Sequence, residues 1–364
     1  MIRKSGIILL IFLCIMFLIG CGNIIRTEVS AKEEVINTRR ELYKRVEEGL
    51  KNGQEEISFE TNDLEKEDFD LLNKEHDGFY GNVTEYRIRT VKLLHRSYIT
   101  LHCEINDNYY VENSILRGET IPADKKEAIE LEKACRKILE KIGSAKLSDY
   151  RKEKRIHDYL VRTVKYDLKT KDTGDNDNAY SSYGALVEGK AVCNGYAQAM
   201  KLLCDLSGVQ CEMISGTADG ENHAWNLVKL SGSWYHVDVT WDDPAPDDPT
   251  RIFYHYFNVD DSFMNRDHQW EVSDYPQAEG TTHNYYVINE LRCRDFGEFA
   301  DKCRTIFESD LPAAIQIQVK DYDDNIYSQE QLQFLFQISG AESLNMQTIG
   351  EKPYVTLYFT FKYD

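Results

Sequence analysis

The chain runs to 364 residues, enough for two or three domains that each bury a core. Its apolar share of 42% and charged share of 29% exclude both a disordered chain and a multi-pass membrane protein. A formal charge of −19 argues against nucleic acid and against direct adhesion to anionic lipid, and suits solubility at an anionic cell surface.

The first residues read as an address rather than as fold. Arg3 and Lys4 precede an apolar run from Ile7 to Ile19, which ends in Leu18-Ile19-Gly20-Cys21. A basic start, a short apolar stretch and a small residue before the cut are the layout of a secretory signal. The run is too short to span a bilayer comfortably. Its tetrapeptide resembles a bacterial lipobox, which implies cleavage before Cys21 and lipid on that thiol; the alternative is an uncleaved anchor. The expectation is therefore a lipoprotein signal peptide over 1–20, a tether over 21–34, and a body held outside the cytoplasm at the membrane. Cleavage would remove two of the 43 basic residues and no acid, taking the charge to −21. Of nine cysteines, Cys14 and Cys21 fall in this segment and seven remain. An odd number leaves at least one thiol free unless pairing is intermolecular. Three disulfides beside a free Cys193, or buried thiols packing as small apolar side chains, both fit. None has the CxxC or Cys/His spacing of a zinc site, and no metal or cofactor is expected.

Beyond the tether, a charged amphipathic helix is expected from about Val35 to Gly53. Strand-like runs follow at Glu56–Phe59, Tyr86–Ile88, Tyr98–His102 and Tyr109–Val111. These make a small α+β domain over 35–120, without recognisable chemistry. Pro122-Ala123-Asp124 opens the next domain, 121–283. Asp124 with Glu127 has the form of a capping box, leading a helix to Ile142 that Gly143 closes. Ser148 is placed to cap a second helix reaching Tyr166, and Lys169–Asn178 reads as loop. The helix that begins at Cys193 ends at Gly208. The period then changes to two, giving strands at Val209–Ser215, Asn222–Leu230 and Ser233–Thr240. Ser231-Gly232 is a tight turn between the last two. Phe253–Val259 adds a further strand, and 284–364 reads as a separate α+β domain of alternating strands and helices. The fold class is α+β.

Cys193, His223 and Asp238 carry the chemistry. A thiol at a helix start, an imidazole in His223-Ala224-Trp225-Asn226 and a carboxylate in Trp234–Trp241 supply nucleophile, base and orienter in chain order. The unpaired N–H groups and dipole of a helix N-terminus favour a thiolate there. The same N–H groups suit the oxyanion of a tetrahedral intermediate, worth about 3 kcal/mol per donor. Val192 offers no polar cap to compete for them, and Gly195 and Ala197 leave room for a substrate backbone. With Ser231-Gly232 as a two-residue turn, Leu230 pairs with Ser233, and Asp238 falls opposite Trp225, one diagonal step from His223. A register two residues different sets it opposite His223 itself. Each of the three has a plainer use: a packing thiol, a structural histidine, a strand-end cap. His236 shares the face of Asp238 and competes for the role of base. Only the joint arrangement of the three distinguishes a catalytic use from the plainer ones.

Residues about 148–270 resemble the transglutaminase-like superfamily, specifically its bacterial extracytoplasmic branch. The resemblance is carried by His157-Asp158-Tyr159-Leu160, Tyr183-Gly184-Ala185-Leu186, Val192–Ala197, His223-Ala224-Trp225-Asn226 and Trp234–Asp242, with Tyr256-Phe257-Asn258 and His268 also in keeping. It implies a papain-related core, with the cysteine at a helix N-terminus packed on an antiparallel sheet. It further implies Cys193 as nucleophile, His223 as base and Asp238 as orienter, without calcium. Asn194 stands where relatives often carry a larger polar residue. The function expected is cysteine-nucleophile acyl transfer on a protein or peptide substrate, cell-wall peptide included, with hydrolysis favoured over cross-linking. The alternative is a catalytically idle surface-binding or cell-wall-associated module on the same scaffold.

Overall fold

The computed structural model describes residues 35–363, apart from 53, 65–82, 94–95, 144–145, 244–247 and 249. The expected signal peptide, the lipidation residue Cys21 and the tether lie outside these residues. Among the described residues, no helix is long and apolar enough to cross a membrane. The described elements fall into two compact units that divide after Ile105, and the whole is α+β.

The first unit holds helix α1 (Arg39–Lys51) and an antiparallel pair, β1 (Glu56–Thr61) and β3 (Arg96–Ile105), with β2 (Val83–Leu93) on the far side of β3. Thr38 and Glu41 start α1 by exchanging side-chain-to-backbone bonds, a capping box. Alternation in β1 buries Ile57 and Phe59, and the pairs Ile57–Leu101 and Phe59–Ile99 form the inner face.

The second unit begins with helix α2 (Asp107–Arg117), where a strand is expected from Tyr109-Tyr110-Val111. Local capping overrides the β-propensity of that triplet. The Asn106 side chain accepts from the Asn108 N–H, and Gly118 closes the helix in the left-handed conformation. Helix α3 (Lys126–Ile142) starts without a side-chain cap, because Lys125 and not Asp124 holds the cap position. Helix α4 (Asp149–Thr163) stops three residues short of the expected end. There the chain extends as β4 (Lys165–Tyr166), parallel to β5 (Lys190–Ala191). The stretch expected as loop contains helix α5 (Leu168–Thr173), because the Asp167 carboxylate caps the Thr170 N–H.

Helix α6 (Cys193–Leu206) packs on a five-stranded sheet of order β10-β6-β7-β8-β9, antiparallel throughout. The strands are β6 (Cys211–Ala218), β7 (Glu221–Leu230), β8 (Ser233–Val237), β9 (Phe257–Val259) and β10 (His268–Gln269). Tyr196, Ala199, Met200 and Leu203 of α6 share one core with Val228, Leu230, Tyr235 and Val237 of the sheet. The buried Asn226 side chain ties the two layers by donating to the Ala197 carbonyl at 3.0 Å. Ser231 and Gly232 both have positive φ, and Leu230 pairs with Ser233, as the hairpin reading requires. Strand β8 ends at Val237 rather than Thr240, and the chain turns into the short helix α7 (Val239–Asp242).

The remainder contributes α8 (Asp261–Met264), α9 (Tyr285–Ile288), α10 (Phe296–Ser309) and α11 (Phe334–Ser339). Its sheet has the order β11-β12-β14-β13, made of β11 (Arg292–Cys293), β12 (Ala314–Lys320), β13 (Ser343–Ile349) and β14 (Tyr354–Lys362). This sheet has its own core around Phe299, Ile317, Leu335 and Leu357. It is also bonded to the five-stranded sheet region: Tyr286 donates to Gln316 at 2.9 Å, and Gln316 donates to the Ile252 carbonyl at 3.0 Å.

Candidate active site

Cys193 is the first residue of α6 and is half-buried. Val192 is extended and makes no side-chain cap, so the first turn has no side-chain acceptor from its cap residue. Gly195 has a purpose other than the expected one. A Cβ there would meet the Ala179 carbonyl at 2.5 Å and the Ala191 side chain at 2.8 Å. The glycine seats the helix start against its own chain and does not open room for a substrate.

His223 lies on β7 and is buried. Its Nε2–H donates to Asp238 Oδ2 at 2.7 Å, and the Cys193 sulfur is near enough to act on the charge of the ring. Burial works against a charged ring, but the Asp238 carboxylate and the Cys193 sulfur outweigh it and push the His223 pKa up to about 10. Asp238, one residue past the last hairpin pair, is fully buried. Desolvation alone would raise its pKa; His223 and then His268 reverse this and hold the carboxyl well below the usual range.

Asp238 makes bonds on both oxygens. Oδ1 accepts from the Thr240 and Trp241 N–H groups at 3.0 and 3.1 Å and so caps α7. Oδ2 accepts from His223 and, at 3.1 Å, from His268 Nε2. Capping and contact with the imidazole, which the sequence offers as rival uses, are divided between the two oxygens of one carboxylate.

His236 is turned to other partners. Its Nδ1 accepts from the Trp225 indole N–H at 2.9 Å, and its Nε2–H donates to Asp261 at 2.8 Å. Both ring nitrogens are occupied, and burial holds its pKa below the ordinary value. Its partners are those of a structural histidine.

Three features of the surroundings are not legible from spacing. His268, on β10, reaches Asp238 and Asp267 together. Its only sequence mark is its fit to a family pattern. Tyr166 has its hydroxyl pKa raised, foremost by burial and then by the charges of Cys193 and Asp238. Behind α7, the buried His157 bonds Asp242 at 3.2 Å and Asp158 at 3.3 Å. The motif segments His157-Asp158 and Trp241-Asp242 thus meet across 85 residues of chain.

His223, Asp238 and His268 form the one group among the described residues with the reach to hold a metal ion, their ligand atoms lying within 4.8 Å of one another. Both imidazoles direct Nε2 to a single carboxylate oxygen, the pattern of a hydrogen-bonded network. All seven described cysteines are free thiols, and Cys193 is the least buried of them.

The model of the transglutaminase-like superfamily matches residues 136–239. Over 154 residues the chain is 27% identical to the kyphoscoliosis peptidases of Mus musculus and Homo sapiens, covering 36% of this chain and 23% of each peptidase. The match therefore spans about a quarter of the length of those curated relatives. A crystal structure of a TGase aligns with a TM-score of 0.30 at 17% identity, covering 57% of this chain and 59% of that one.

Proposed function

Since residues 136–239 are a transglutaminase-like domain, we propose that the chain is a cysteine-dependent acyl-transfer enzyme acting on peptide or amide bonds. The observation that carries this reading is the His223–Asp238 hydrogen bond of 2.7 Å, on a ring whose positive charge is further favoured by the sulfur of Cys193 at a helix start. The Cys193 thiolate attacks the substrate carbonyl carbon, and the oxyanion forms against the uncapped N–H groups of α6. The C–N bond then breaks, the amine leaves with the proton held on His223, and a thioester to Cys193 remains. In the second half, His223 takes a proton from the acceptor as it attacks, and the C–S bond breaks. Water makes the enzyme a peptidase or amidase, and a lysine amine makes it a cross-linker. Water, at about 55 M, is the acceptor unless a site excludes it, and hydrolysis is the favoured outcome. Asp238 keeps the ring oriented and balances the imidazolium.

The rate at which iodoacetamide labels Cys193, followed against pH, tests this. A catalytic thiol labels fast well below the ionisation range of an ordinary cysteine, and His223→Ala returns it to that range. A wild-type thiol that already behaves ordinarily would favour the binding module. The lipobox resemblance supports an enzyme tethered at the outer face of a bacterial membrane. Cys21→Ser should then abolish lipid labelling; a variant still lipidated and sedimenting with membranes would refute the anchor.

A further inference from the structure

We propose that His268 is a positioning residue for the Cys193–His223–Asp238 site, and that its positive charge helps to set the pH window in which the thiol reacts. This rests on the acyl-transfer reading of that site. The ring is fully buried and each nitrogen faces a carboxylate oxygen: Nδ1 lies 2.6 Å from Asp267 Oδ1 and Nε2 lies 3.1 Å from Asp238 Oδ2. A neutral imidazole carries one N–H, and would set a lone pair against one of these carboxylates. An imidazolium satisfies both. Burial alone would lower the pKa of His268, but Asp238 and Asp267 raise it above its ordinary value. Asp267 is held in turn by the Tyr256 hydroxyl at 2.6 Å and by the charge of Arg266.

Two consequences follow. First, Asp238 cannot swing away. Its Oδ1 is fixed by two backbone N–H groups and its Oδ2 is shared by two rings, with Trp241 (4.5 Å between centroids) and Trp225 (5.0 Å) packed against His268. Second, the ring centroids of His268 and His223 lie 5.4 Å apart, so two cations face each other across one carboxylate. The groups that face this pair are Cys193 on α6, Asp238 at the head of α7, Asp267 before β10, Tyr256 before β9 and His236 on β8. The charges of Cys193 and Asp238 also act on Tyr166 of β4. Removing the charge of His268 removes a cation from beside the His223 imidazolium. His223 then holds its proton to higher pH, and the upper limit of the reactive window moves upward.

His268→Gln keeps an N–H for Asp238 and deletes the charge. In a profile of Cys193 labelling against pH, the upper limb, set by His223, should move up by about one pH unit. Asp267→Asn, at a partly exposed position, removes the carboxylate that keeps His268 charged. It should move the upper limb in the same direction by less, and it supplies the test if His268→Gln fails to fold. His223→Ala removes the group through which His268 acts, so adding His268→Gln to it should leave the upper limb absent and shift nothing further there. A wild-type profile matching that of His223→Ala would refute the underlying site. A two-limbed wild-type profile on which His268→Gln and Asp267→Asn superimpose would overturn the role of His268 alone.

Discussion

Asp238 is where a single side chain is asked to do most. Its four hydrogen bonds need two acceptor oxygens, and asparagine has one. In Asp238→Asn, an oxygen kept on the α7 N–H groups turns the amide N–H₂ towards two ring N–H donors. His223 then has to present a lone pair, which is the neutral ring in the wrong tautomer for its work. The expected outcome is a folded protein with Cys193 labelling and turnover lowered ~10- to 1,000-fold, less than in serine enzymes because a thiolate–imidazolium pair survives in part. Equal rates in a folded variant would return Asp238 to a cap and nothing more. Cys193, His223 and Asp238 could be named together because a helix start and a hairpin each leave local marks in sequence. His268 could not. Its link to Asp238 runs through β10, a strand of two residues that pairs with β6 only through His268–Ala218 and Gln269–Thr217. Gly216 permits that approach, since a Cβ there would meet the Gln269 carbonyl at 2.1 Å. No periodicity announces so short an element.

Among the elements, those written in a repeating pattern or a strong cap were legible. The β7–β8 hairpin follows from its turn, and α6 from its apolar period and its Gly208 stop. Where capping opposed propensity, capping prevailed: Asn106 and Gly118 make a helix of Tyr109-Tyr110-Val111, and Asp238 ends β8 by starting α7. Behind α7, a buried hydrogen bond joins α4 to β9. Glu153 is fully buried and accepts from Asn258 Nδ2 at 3.0 Å through one oxygen, while its other oxygen has no partner. Desolvation pushes its pKa up to about 8, against the pull of Asn258 and His157. The folded state thus holds a proton that the unfolded chain, with glutamate near 4.3, releases, so stability falls as pH rises between about 4.3 and 8. Glu153→Gln keeps the shape and the acceptor for Asn258 without the titrating group. Its melting temperature should match wild type in mild acid and exceed it at about pH 8. Parallel pH–melting curves for the two proteins would show that Glu153 is not the group responsible.

At the scale of the whole molecule, the question is how much chain the site needs beneath it. The sequence points to residues 121–283 as the catalytic domain, on a resemblance carried by the middle of the chain. The core under α6 draws on side chains beyond both of those limits. Val111 of α2 and Tyr286 of α9 are completely buried in the same cluster as Tyr196, Met200 and Val237. His255, two residues before β9, is bonded to Thr356 of β14 at 2.9 Å, and Phe253 packs edge-on against Tyr358. Composition and period cannot report such joins, because each partner looks like an ordinary core residue of its own segment. A fragment covering 121–283 would lose two fully buried side chains and expose the surfaces they cover. Each deletion costs about 2–5 kcal/mol, against a total stability of about 5–15 kcal/mol for a native protein. A fragment covering 106–364 keeps both side chains and the contacts to β14. The expectation is that the longer fragment melts cooperatively and labels at Cys193 with the pH profile of the full chain, while the shorter one is labelled indiscriminately at its core thiols, Cys135, Cys204 and Cys211. A 121–283 fragment with a sharp melt and protected core thiols would mean that α2, α9 and the C-terminal sheet add little to the fold that holds Cys193 and His223 together.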